Sequence, residues 1–212
     1  MTSAVVIGAG PGIGLAVARR FAREGFDLAL VARSKETVTG VAESLEGVRA
    51  LPLVADSSDE VALRAALDTA AAELGAPDVV VYNAAVIRPD TVGELPLRAH
   101  LDTYAVNVLG ALTAAAHTAP GMAERGRGTF VVTGGMPEPK PEYVSLSLGK
   151  AGVRSLVDLL DRRYGPSGVH VATVTVSGPV APGTAWDPDE IAEQYWRLHA
   201  QPRAEWEREV LV

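Results

Sequence analysis

The sequence predicts an α/β protein: one doubly wound parallel sheet with helices on both faces, forming a single domain over residues 1–212. Three observations carry that expectation. Apolar runs of four to seven residues alternate along the chain with longer segments of helical periodicity. The apolar runs are near-continuous Val, Ile, Leu and Ala rather than alternately apolar and polar, as strands covered on both faces require. No repeat, low-complexity tract or linker breaks the alternation, so consecutive strands join by right-handed crossovers within one sheet.

In chain order, the first strand is expected at Ala4–Ile7 and is followed by a glycine-rich turn and a helix over Ile13–Glu24. A second strand, Asp27–Ala32, leads to a helix over Lys35–Leu45, and a third, Val48–Val54, to a helix over Glu60–Leu74. The fourth strand, Asp78–Tyr82, precedes one long helical pattern, Leu97–Glu124. Thr129–Thr133 and Val169–Val176 are the fifth and sixth strands, with a helix at Ser145–Tyr164 between them and Ser145 as its N-cap. Pro188–His199 is the last helix, and Glu209–Val212 is a short edge strand.

Composition excludes several functions. The chain has 212 residues, 48% of them hydrophobic and 21% charged, enough for a real core. A net charge of −7 and a pI near 5.1 argue against electrostatic nucleic-acid binding. Without cysteine there is no disulfide framework, thiolate nucleophile or Cys-type zinc site. His100, His117, His170 and His199 are scattered without a ligand pattern, so no metal is expected. The uncharged stretch Met1–Ala18 has no basic region before its apolar part, is broken by glycines and is too short to span a bilayer, so a cytoplasmic protein is expected.

"VVIGAGPGIG" (Val5–Gly14) sits where the first strand turns into the first helix. In a dinucleotide-binding turn one glycine permits the bend, another lets the backbone approach a pyrophosphate, and a third lets helix and strand pack closely. The helix amino terminus then offers N–H groups and a positive dipole end to the phosphates. This marks a Rossmann-type domain. At the end of the second strand, where an acidic residue would bind an unphosphorylated ribose, the sequence has Ala32, Arg33 and Ser34. An arginine there suits a 2′-phosphate, so NADP(H) is the expected cofactor.

With that turn in place, Gly8-x-x-x-Gly12-x-Gly14 resembles the short-chain dehydrogenase/reductases, and further motifs follow in the family's order. "LVADSSD" (Leu53–Asp59) resembles the acidic segment after strand three, "VYNAA" (Val81–Ala85) the Asn-Asn-Ala-Gly after strand four, and "YAVNVLGAL" (Tyr104–Leu112) the helix carrying an asparagine. "TVSGPV" (Thr175–Val180) resembles the turn after strand six, with Ser177 where the family has proline. The resemblance implies cofactor contacts from Gly8, Gly12, Ile13, Gly14, Arg33, Ser34, Asp56, Ser57, Asn83, Ala84, Lys150, Gly178 and Val180.

It also implies hydride transfer between nicotinamide and a carbonyl or alcohol, with a tyrosine moving the proton and a lysine four residues later lowering the phenol pKa and holding the ribose. A phenol of pKa near 10 needs such a cation to act as a base at neutral pH. Asn107 and Lys150 match. The tyrosine position, however, is Leu146 in "EYVSLSLGK" (Glu142–Lys150). The serine position falls on Thr133 by spacing and on Gly134 or Gly135 by strand register; only Thr133 supplies a hydroxyl. Tyr143 is the candidate substitute, carried by the proline-rich stretch Met136–Glu142. A regular helix would put it about 10.5 Å from residue 150 along the axis. Whether Tyr143 enters the site or packs on the surface or a dimer contact stays open, and Ser147 has at most an orienting role.

After "SGPVAPGT" (Ser177–Thr184) the chain passes almost directly to its last helix, leaving little room for a lid; the site should be open or closed by a partner subunit. Trp186, Tyr195, Trp196 and Trp206 are expected to pack that helix onto the sheet. The family's dimer surface and the alanine-rich stretch Leu109–Ala119 imply a homodimer or homotetramer. The expected activity is an atypical NADP(H)-dependent oxidoreductase of a small carbonyl or alcohol. The alternative is an NADP(H)-binding protein that has lost turnover and serves as a sensor, partner subunit or non-redox enzyme.

Overall fold

In the computed structural model, which describes residues 2–212, the apolar runs pair into one seven-stranded, wholly parallel sheet. Its strands are β1 (Ser3–Ile7), β2 (Asp27–Ala32), β3 (Ala50–Val54), β4 (Val79–Tyr82), β5 (Gly128–Gly135), β6 (Val169–Val176) and β7 (Glu209–Leu211), in the spatial order β3-β2-β1-β4-β5-β6-β7. The order reverses beside β1, which pairs with β2 on one side and β4 on the other. In doubly wound sheets that reversal opens a crevice at the carboxyl ends of the strands, where ligands bind.

Seven helices cover the sheet: α1 (Ile13–Arg23), α2 (Lys35–Glu43), α3 (Glu60–Leu74), α4 (Leu97–Tyr104), α5 (Gly110–Glu124), α6 (Val144–Tyr164) and α7 (Pro188–Ala200). Strand periodicity divides the core between two faces. In β1, Val5 and Ile7 pack toward the α3, α5 and α6 residues, whereas Ala4 and Val6 pack toward α1, α2 and α7. Tyr195 and Ile191 of α7 and Phe21 of α1 are fully buried on the second face. Each such side chain contributes about 2 kcal/mol through removal of apolar surface from water. Trp196 meets Phe21 edge-on at 5.6 Å and Trp206 stacks on His170 at 4.6 Å, so both fasten the chain's last third to the sheet.

Three elements depart from the sequence expectation. The helix expected over 97–124 is interrupted: a π-helical turn, Ala105–Leu109, separates α4 from α5, with Asn107 at its centre. Such bulges gather at functional sites. Second, β5 runs through Gly134 and Gly135, which pair with Thr175 and Val176 of β6, two residues beyond the expected end.

Third, α6 starts at Val144, with Tyr143 rather than Ser145 as its N-cap residue and no cap from the Tyr143 side chain. The capping carboxylate comes from a distant loop. Buried Asp90 accepts from the Ser145 backbone N–H at 3.0 Å and from its hydroxyl at 2.8 Å. Among the described residues, no helix is long and apolar enough to cross a membrane.

Candidate active site

The glycine turn builds one wall of the site, and its glycines divide the labour as their surroundings require. Gly8 has φ +89°, and a Cβ there would stand 2.4 Å from the Ala84 backbone nitrogen. A Cβ on Gly14 would stand 2.3 Å from the Gly8 carbonyl oxygen. These two let β1, α1 and the end of β4 approach. Around Gly10 and Gly12 a Cβ would meet nothing within 4 Å. That open space, beside a helix whose N-cap Gly12 supplies no side-chain cap, is a cradle shaped for a pyrophosphate. The residues present fit a dinucleotide.

At the tips of β2 and β3 lie the residues that the sequence assigns to the nucleoside end. Arg33 is exposed there, and Ser34 accepts from the Thr37 N–H at 3.3 Å as the N-cap of α2. Asp56 accepts from the backbone and hydroxyl of Ser58. Burial pushes the Asp56 carboxyl up, but the Ser58 hydrogen bonds and the charge of Arg33 outweigh it and hold the group below its ordinary range. It is a fixed anion beside Arg33, with Ser57 buried next to it.

A cleft of about 700 Å³ runs from the glycine turn to the catalytic end, and Gly12, Ile13, Gly14, Asn83, Thr133, Tyr143, Lys150, Gly178 and Val180 all line it. Lys150, only 6% exposed, projects from α6 and donates to the Thr133 carbonyl at 2.6 Å. Burial pushes its ammonium down to about 8. Leu146, one turn before it, is 4% exposed and forms an apolar part of the wall. Tyr143 lines the same cleft, half-buried, its backbone set by pairing with Asp90. The loop therefore sets Tyr143 at the wall of the cleft.

Other hydroxyls are turned elsewhere. Thr133 follows Val131 onto the α7 face of β5; its Oγ1 donates to Asn83 Oδ1 at 2.8 Å and lies 2.7 Å from the Tyr195 hydroxyl. It is Gly135 whose Cβ would approach Lys150, at 3.5 Å from Cε. Thr133 thus offers the lysine its carbonyl and not its hydroxyl. Ser147 Oγ is engaged by the Lys140 backbone at 3.0 Å. Asn107, 1% exposed, spends its whole amide on one residue: Oδ1 accepts from the Val86 N–H at 2.7 Å and Nδ2 donates to the Val86 carbonyl at 3.1 Å. It holds the segment after β4 rather than facing the cleft.

Arg154 was not singled out in the sequence, and Tyr195 and Trp186, expected to pack the last helix onto the sheet, make further contacts around the site. Arg154, one turn beyond Lys150, donates to the carbonyls of Gly135 and Met136, both at 3.1 Å. Met136 has φ +46°, a left-handed conformation uncommon for a side-chain-bearing residue, and that pair of bonds holds it. The spacing of four between Lys150 and Arg154 was the available signal. Tyr195, with its pKa raised by burial, links α7 to Thr133 and so to Asn83, whose Nδ2 donates to the Gly8 carbonyl at 2.9 Å. Trp186 lies against Gly178 and donates to Ser177 at 3.1 Å, packing the short β6–α7 connection that replaces a lid.

Comparison with known proteins agrees with this geometry. Residues 2–188 match the family model described as short chain dehydrogenase, and the chain belongs to that family, whose members use nicotinamide cofactors. It is 31% identical over 198 residues to glucose 1-dehydrogenase of Gluconobacter oxydans, covering 90% of this chain and 74% of that one. It is 31% identical over 176 residues to D-threitol dehydrogenase of Mycolicibacterium smegmatis, covering 81% and 68%. An alcohol dehydrogenase from the archaeon Thermococcus sibiricus, complexed with 5-hydroxy-NADP, superimposes with a TM-score of 0.91 at 27% identity, over 100% of this chain and 96% of that one. A metagenomic short-chain oxidoreductase in complex with NADP gives the same TM-score, identity and coverage.

Proposed function

We propose that the protein is an NADP(H)-dependent oxidoreductase that exchanges hydride with a small carbonyl or alcohol compound. One observation carries the reading: the open cradle at Gly10 and Gly12 and the buried Lys150 line a single cleft. The backbone of the glycine turn would bind the pyrophosphate and Arg33 the 2′-phosphate, with Asp56 and Ser57 bordering the adenine. Lys150 would hold the nicotinamide ribose, and Gly178 and Val180 would back the ring. When bound, the nicotinamide supplies or accepts the hydride. Leu146, Tyr143 and Ile87 would position the substrate and exclude water. Asn107 acts at one remove, through the Val86 backbone. NADP bound to solved relatives supports the cofactor choice.

The reading extends to a homo-oligomer. Leu109, Leu112, Leu148 and Leu159 are 44–64% exposed on α6 and on the π-turn and helix carrying Asn107, and a second copy would cover them. Leu146 at the tyrosine position favours one second reading, a nucleotide sensor without turnover. The purified protein should consume NADPH with at least one compound from a panel of aldehydes, diketones and quinones. Tight binding of NADPH without consumption by any of them would favour the sensor.

A further inference from the structure

The chain has three lysines, Lys35, Lys140 and Lys150, of which the first two are exposed and Lys150 is buried. A buried ammonium is ordinarily paired with a carboxylate, because desolvation disfavours the charged form. Lys150 is held differently. Its hydrogen bond goes to the neutral Thr133 carbonyl, and among the described residues that line its cleft there is no carboxylate. The other charged side chain on that cleft, Lys140, is a second cation, and Ile87, Leu146 and Val180 are apolar parts of the wall. The charge is therefore uncompensated, and burial lowers the ammonium pKa to about 8. A neutral amine in a desolvated pocket is a nucleophile toward a carbonyl carbon.

We propose that Lys150 is a Schiff-base site, whose amine takes up a small aldehyde as an imine whenever the cofactor is absent. The attack itself rests on the geometry of the cleft. The exclusion of aldehyde by cofactor rests on the oxidoreductase reading above, in which Lys150 holds the nicotinamide ribose. The lone pair of the neutral amine bonds to the aldehyde carbon, and the carbonyl π pair shifts onto oxygen. A proton passes from nitrogen to that oxygen, giving a carbinolamine. The C–O bond then breaks, the oxygen leaves as water with a proton from solvent, and the nitrogen lone pair closes the C=N bond of a protonated imine. Nothing is oxidised or reduced, and hydrolysis by the reverse path releases the aldehyde. An aldehyde suits the site because its reacting carbon carries a single carbon substituent, and the cleft of about 700 Å³ accepts that substituent along its apolar wall. The cleft thus holds either an aldehyde bonded to the lysine or a dinucleotide, and free aldehyde lowers the share of protein open to NADP(H).

The test treats the full chain with propanal and sodium cyanoborohydride, which reduces a protonated imine to a stable propylamine, and locates the label by peptide mass spectrometry. At pH 7 an amine of pKa near 8 is about one-tenth neutral, whereas an ordinary lysine is neutral in fewer than about one molecule in a thousand. Lys150 should therefore be labelled about tenfold or more faster than Lys35 or Lys140, although it is the buried one. That ratio should shrink as the pH rises past 8, because ordinary lysines then lose their protons as well. Lys150→Arg keeps the charge but cannot form an imine; it should abolish the label at this position and leave labelling of the other two lysines unchanged. Saturating NADPH, its binding followed by nicotinamide fluorescence, should protect Lys150 alone. Equal labelling of the three lysines, or no label on Lys150, would overturn the Schiff-base site. Bound NADPH with Lys150 labelled at an undiminished rate would overturn the exclusion. Failure to bind NADPH would instead remove the oxidoreductase reading, while the label on Lys150 still decides the imine.

Discussion

Replacing Lys150 with methionine should stabilise the protein at neutral pH while impairing cofactor binding. Methionine matches the length of the aliphatic stem but carries no charge. The ammonium is 6% exposed, and its pKa falls from 10.5 to about 8 because burial disfavours the charged form. That drop corresponds to about 3 kcal/mol against the folded state at pH 7. The charge-assisted hydrogen bond to the Thr133 carbonyl opposes the loss and returns roughly half of it. The net gain for Lys150→Met is then about 1–2 kcal/mol, or a rise in Tm of about 2–8 °C for a chain of this size.

The pH dependence has a definite sign. The folded pKa lies below the unfolded one, so between about 8 and 10.5 the unfolded chain binds the extra proton and wild-type stability rises with pH. The advantage of Lys150→Met should be fully present below pH 8 and gone by about 10.5. Thermal unfolding followed by circular dichroism at both ends of that window measures it, because other titrations are common to the two proteins. NADPH at 100 times its Kd should add about 2.7 kcal/mol to the wild type and much less to the variant. A lower Tm for Lys150→Met at pH 7, or a difference that does not change with pH, would refute this account of the lysine.

Three further outcomes follow from the packing. Gly8→Ala forces a Cβ to within 2.4 Å of the Ala84 nitrogen at φ +89°, and should destabilise the fold by about 3 kcal/mol or more, seen as a lowered urea midpoint. Tyr195→Phe removes the hydroxyl 2.7 Å from Thr133 and should lower stability by about 1 kcal/mol without altering the Kd for NADPH; a large loss of affinity would give the Tyr195–Thr133–Asn83 chain a direct part in cofactor binding. Asp90→Ala leaves the first turn of α6 uncapped and should cost about 1–2 kcal/mol, whereas Asp90→Asn should retain most of the stability.

The sheet and the glycine turn were readable in the sequence because their constraints are local. A run such as Val79–Tyr82 is apolar on both faces wherever it sits, and Gly8 and Gly14 are needed by neighbours only a strand or a turn away. The catalytic end was less readable because its decisive geometry is relative. Gly134 and Gly135 lie beyond the strand expected at Thr129–Thr133, yet they pair with β6 because Thr175 and Val176 continue alongside. Strand faces alternate with each residue, so a one-residue ambiguity in register decided whether Thr133 or a neighbour faced Lys150. The π-turn at Ala105–Leu109 is marked by no proline or glycine within it, and the partner that its Asn107 grips, Val86, lies some twenty residues away. Asp90 capping α6 is a contact across 55 positions that no local pattern signals. Leu146, four residues before Lys150, was visible at once, and the structure adds that its side chain is buried in the wall of the cleft.

The central claim, an NADP(H) site assembled from the glycine turn, Arg33 and Lys150, is tested most directly by calorimetric titration of the protein with NADPH and with NADH. The account predicts that NADPH binds at least about tenfold more tightly, and that Arg33→Ala removes the preference by weakening NADPH alone. Equal affinity for the two cofactors would contradict the role given to Arg33, and binding of neither would contradict the site itself.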